Sequence, residues 1–153
     1  MKILQDLVSR FSQTVTAYAG DTVLMQAMVS AAANVIVADG EVAGDEFDTA
    51  LAGIQANPIV EKGYDRLMLE SELYDGIARA RTRAGRAENL RRIAGLHERD
   101  ADMRAAAFLV AADVADLDGI SPLEATALDE IAEALGVDKP ALLAASPVKR
   151  PLA

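Results

Sequence analysis

Cysteine and tryptophan are absent, and histidine occurs once, at His97. Without cysteine the chain has no disulfide, no thiol nucleophile and no Cys-type zinc or iron–sulfur site. A single histidine rules out a histidine-rich metal site, so any metal must be a hard cation held by oxygen ligands. Aromatic residues are only 4% of the chain although hydrophobic residues are 52%. Ala, Leu, Ile, Val and Met must therefore fill the core, and small, straight side chains favour closely packed helices over a β-sandwich. No apolar run reaches the roughly 18–20 residues of a membrane span. The net charge of −9 argues against nucleic acid as a partner, because phosphate needs a basic face.

The charge is unevenly spread. Residues 39–48 carry Asp39, Glu41, Asp45, Glu46 and Asp48 with no base, and residues 105–138 carry only acids. Between these blocks, residues 79–104 hold eight arginines against four acids. The start, Met1-Lys2-Ile3-Leu4-Gln5-Asp6, is amphipathic and lacks a small-residue cleavage site. It therefore predicts no signal peptide and a cytoplasmic address.

In chain order, Ile3, Leu4, Leu7, Val8, Phe11, Val15 and Tyr18 recur at helical spacing over 2–19,. Residues 22–38 are almost continuously apolar and predict a central buried helix. Further helices are expected at 44–55, at 60–80 (one or two, with Val60, Tyr64, Leu67, Met68, Tyr74 and Ile77 as the apolar positions), at 86–97, at 101–117, from Pro122 to Leu135, and as a short turn from Asp138 to Ala144. Met25, Met28, Met68 and Met103 read as core filler. Nothing alternates at period two for long enough to make a sheet. The expectation is an all-α single domain of seven to eight helices over 1–145, followed by a loose tail at 146–153. A shift of 79 residues places Asn34 on Asp113, Asp39 on Asp118 and Gly40 on Gly119. Glu46 meets Glu124 after removal of one residue. This predicts an internal duplication of a helix–acidic-turn–helix unit.

Those two turns are the candidate site. A cation such as Ca²⁺ takes six to eight oxygens from carboxylates, carbonyls and water. Asp113 and Asp116 are three apart and share a helix face, and Asp118 follows in the turn. Asn34, Asp39, Glu41, Asp45 and Glu46 offer a similar set in the first half. Gly40 and Glu46 are spaced like the glycine and last glutamate of an EF-hand loop, but Val35 and Val37 fall where its first ligands belong, so neither turn is an EF-hand.

Other readings compete. Ser121-Pro122-Leu123-Glu124 is a capping box, which explains Glu124 without a metal. Asp45 and Glu46 suit a first helical turn, and Asp129, Glu130 and Glu133 read as a solvated face. Asp113 is harder to explain, because it lies within an apolar helix where an unpaired carboxylate is costly. The Arg-rich segment either binds an acidic partner or neutralises the acidic turns within the fold. His97 has no nucleophile motif beside it.

Ala38-Asp39-Gly40-Glu41-Val42-Ala43-Gly44-Asp45-Glu46 resembles the signature of the tellurite-resistance TerB family. So does Val114-Ala115-Asp116-Leu117-Asp118-Gly119-Ile120-Ser121-Pro122-Leu123-Glu124, about eighty residues later. The resemblance extends from Met1 to about Leu143 and includes Ile131-Ala132-Glu133-Ala134-Leu135-Gly136-Val137. It implies a helical, internally duplicated TerB-like domain with a metal-binding acidic surface. It also implies a role in tellurite resistance and related stress responses, in protein complexes near the membrane. The family's acidic positions carry over to Asp39, Glu41 and Glu46 and to Asp116, Asp118 and Glu124, with the second turn one residue shorter than the pattern.

The residues and the resemblance together predict a non-enzymatic protein. It would bind a divalent cation, Ca²⁺ first, through Asp39, Glu41, Glu46, Asp113, Asp116, Asp118 and Glu124. It would act as an interaction module, cytoplasmic or peripheral at the inner membrane face, with protein partners and no nucleic acid. A metal-independent scaffold using the polarised surface is the alternative. A hydrolase using two carboxylate-held metals is the third reading, lacking any recognisable nucleophile.

Overall fold

A computed structural model describes residues 22–40 and 42–145. The helix expected over 2–19, Glu41 and the 146–153 tail lie outside the described residues. Eight helices and no strands occur among those described. They are α1 (22–37), α2 (Gly44–Gln55), α3 (Pro58–Gly63), α4 (Arg66–Ala80), α5 (Arg83–Ala94), α6 (Ala101–Ala115), α7 (Pro122–Leu135) and α8 (Lys139–Ala145). None is long and apolar enough to cross a membrane.

Helix α1 is buried along nearly its whole length, with Leu24, Ala27, Ala31, Ala32, Ala33, Val35 and Ile36 fully inside. A helix apolar on all sides belongs in the middle of a fold. Its small residues let neighbours come close: a Cβ on Gly76 of α4 would lie 3.2 Å from Ala33 Cβ and from Val29 Cγ1. Helix α6 is the second apolar helix, burying Phe108, Ala111, Val114 and four others. It packs against α2 and α7, while α5 packs against α4 and α7.

Local sequence chemistry sets most boundaries. Asn57, Asp65, Thr82, Asp100 and Ser121 each cap the helix that follows by accepting a backbone N–H,. Gly136 ends α7 in the left-handed region at φ 71,.

One expectation needs correction. The core face of α4 is Leu69, Leu73, Gly76, Ile77 and Ala80. Leu67, Met68 and Tyr74 are exposed, so Met68 is not core filler. Of the one or two helices expected over 60–80 there are two, divided at Tyr64 and Asp65, because Asp65 caps a new helix there through a 2.8 Å bond from Met68 N–H.

Asn34 belongs to the core rather than to the acidic set. Its Oδ1 accepts from Asn89 Nδ2 at 2.9 Å, and Asn89 also donates to Gly76 O at 3.1 Å. Arg79 Nε donates to Asn89 Oδ1 at 2.8 Å. Both asparagines are buried, so this network fixes the register of α1, α4 and α5 together.

Candidate metal centre

The two acidic turns have the same local construction. Gly40 and Gly119 both sit in the left-handed region, at φ 87 and 86, where L side chains are strained. Each glycine is followed by a helix whose third residue is a glutamate folded back on its own N-terminus. Glu46 Oε1 accepts from Ala43 N–H at 3.2 Å. Glu124 Oε1 accepts from Ser121 N–H at 2.9 Å, and Ser121 Oγ returns the bond by accepting from Glu124 N–H at 3.2 Å. The second turn is thus the full capping box read from the sequence. The first has only the glutamate half, since Ala43 carries no hydroxyl.

Only the tertiary fold brings the two glutamates together. Because α2 and α7 both pack on α6, their N-termini meet. One carboxylate oxygen each from Asp39, Glu46 and Glu124 then lie within 4.8 Å of one another. Glu46 is 9% exposed and Glu124 5%, while Asp39 is exposed at the mouth. A cavity of about 230 Å³ lies here, lined by these three with Leu117, Asp118, Gly119 and Ser121.

The electrostatics follow from this crowding. Burial pushes the Glu46 carboxyl above its ordinary value. The Ala43 N–H opposes that, while the carboxylates of Asp39, Glu124 and Asp45 push it further up,. Oxygens on opposite sides of a Ca²⁺ ion, each roughly 2.4 Å away, are about 4.8 Å apart; for Mg²⁺ the figure is about 4.1 Å. The triad could therefore hold a metal ion, with Asp118, turn carbonyls and water available to complete the shell.

Of the residues expected from the sequence, the fold gathers Asp39, Glu46 and Glu124, with Asp118 on the cavity wall. Asp113 and Asp116 stand apart. They form a pair of their own at the end of α6, where burial first and Asp116 second raise the Asp113 carboxyl.

Several arginines of the Arg-rich segment are engaged away from the cavity. Arg86 pairs with Glu130, and Arg91 and Arg92 both pair with Glu88. Arg104 Nη1 donates to Leu135 O at 3.3 Å and Gly136 O at 2.8 Å, a cation placed on the negative end of α7.

Compared with protein-family models, curated proteins and solved structures, the chain matches none.

Proposed function

We propose that this protein is a non-enzymatic module that binds a divalent cation, Ca²⁺ first, between its two acidic turns and engages a protein partner. The convergence of Asp39, Glu46 and Glu124 from two separate turns is the observation that carries this reading. Two nine-tenths-buried carboxylates beside a third repel one another,, and a cation between them would offset that repulsion. Ca²⁺ is placed before Mg²⁺ because it accepts a larger and less regular set of oxygen ligands than the octahedron Mg²⁺ demands. The resemblance to the TerB family supports placing the activity in tellurite resistance and related stress responses, in the cytoplasm or at the inner membrane face. The likeness of the two turns supports their origin by duplication.

Calorimetric titration with Ca²⁺ and with Mg²⁺ tests the cation. Saturable Ca²⁺ binding is expected, abolished by Asp39→Asn combined with Glu46→Gln. No saturable heat, or unchanged binding in the double variant, sinks the metal centre. Partner capture that persists unchanged in chelator would then favour the metal-free scaffold.

A further inference from the structure

The described residues expose six large hydrophobic side chains, and four of them, Val42, Leu67, Met68 and Tyr74, lie on α4 and the loop leading into α2. Tyr74 is 62% exposed and Leu67 74%. Tyr74 rests its ring against Phe47 of α2 with centroids 4.6 Å apart. Between the two helices is a groove of about 280 Å³ lined by Val42, Ala43, Gly44, Phe47, Asp48 and Tyr74. A groove of that size has room for a side chain of a partner. Leu67 and Tyr74 are seven residues apart on one helix, two turns or roughly 10 Å, which matches the i and i+7 anchors of a helix laid along a groove.

Acids border the groove end of this strip, while Arg66 sits beside Leu67 at the other end. Asp48 lines the groove, Asp45 and Asp75 are exposed beside it, and α2 carries no base at all. Glu70 is paired with Arg66 at 3.4 Å and Asp75 also lies in the field of Arg79, so Asp45 and Asp48 chiefly set the sign of the rim. We infer that the Phe47–Tyr74 groove and the Leu67 strip dock a basic amphipathic helical segment of a partner protein. Its apolar residue enters the groove, and its Lys or Arg side chains meet Asp45, Asp48 and Asp75. A second copy of this chain would bring a like-charged rim against its own, which opposes a symmetric dimer. Residues 1–21 have Lys2 and Arg10 balanced by Asp6 and Asp21, so they lack the positive charge the rim calls for.

The inference rests on the interaction-module half of the proposed function and not on the cation. The probe is a labelled amphipathic peptide of about 18 residues, with Leu and Phe at helical spacing and Lys elsewhere, titrated by fluorescence anisotropy against the full chain in chelator. Saturable binding is expected, weakened about tenfold or more by Tyr74→Ser and again by Asp48→Lys with Asp75→Lys. Circular dichroism verifies that these exposed-site variants fold. The assignment is overturned by absent saturation, by equal binding of a peptide with Glu in place of Lys, or by unchanged affinity in the Tyr74→Ser variant. It also fails if Leu7→Ser with Phe11→Ser in the full chain raises affinity, since the chain's own N-terminal segment would then be the occupant. Self-association abolished by Tyr74→Ser would assign the strip to a dimer instead. A cellular partner still captured by the Tyr74→Ser chain refutes this surface while leaving the module reading intact.

Discussion

Replacing Glu46 by Gln separates its two roles, because glutamine can keep the capping bond to Ala43 N–H while removing the charge. The carboxylate oxygens lie within 4.8 Å of one another, and at that outer limit two unit charges repel by about 1 kcal/mol in bulk water and about 3.5 kcal/mol at an effective dielectric constant of about 20. The Asp39 pair, with one exposed partner, lies near the lower figure, and the buried Glu124 pair lies higher. Against this, exchanging a charged acceptor for a neutral one gives back roughly 1 kcal/mol. The expected result in chelator is that Glu46→Gln is more stable than the parent by about 1–2 kcal/mol, a rise of roughly 2–8 °C in Tm for a chain of this size. Excess Ca²⁺, at about 100 times its Kd, should raise the parent by about 2.7 kcal/mol. The variant should not respond. Thermal unfolding by circular dichroism, in chelator and in Ca²⁺, reads both effects. A variant that is destabilised in chelator and keeps the Ca²⁺ shift refutes the reasoning, leaving Glu46 as a helix cap alone.

Three further outcomes follow from the same structure. Glu46 and Asp113 hold their protons more tightly when folded than when unfolded, so the native chain binds more protons between the ordinary and raised values. Cation-free stability contributed by these groups therefore falls as pH rises through that window, while Ca²⁺ affinity falls as pH drops through the raised Glu46 value. Denaturant titrations over a pH series should show that slope in the parent and lose it in Glu46→Gln with Asp113→Asn. Asn89→Ala strands Asn34 and Gly76 O in the core and should cost about 1–3 kcal/mol, measured by denaturant midpoint; a loss below about 0.5 kcal/mol contradicts the network. Gly85→Ala would place a Cβ 1.9 Å from Arg79 O. It should destabilise by about 1–3 kcal/mol although alanine favours helix, and a stabilised variant would refute the close approach.

What the sequence determined was local. Ser121 announces a helix start through its capping box, and Gly40 and Gly119 mark the two acidic turns, because each effect is complete within about four residues. The continuous apolar run of 22–37 likewise declares itself central before any partner is known. The capping box at Glu124 was legible for the same reason.

Tertiary packing decided the rest. Both helix N-termini must dock on α6 before Glu46 and Glu124 can share a space with Asp39, and no spacing rule encodes that meeting. Asp113 drew attention as a carboxylate in an apolar helix, yet its half-buried place beside Asp116 lies away from the cavity. Asn34, which a shift of 79 residues sets on Asp113, is bonded into the core by Asn89, a contact 55 residues away in sequence. The exposed face of α4 was misread because Leu67, Met68 and Tyr74 are as apolar as the buried Leu69, Leu73 and Ile77. Which of two apolar registers turns inward depends on where α1 and α2 lie, and only the folded chain settles that.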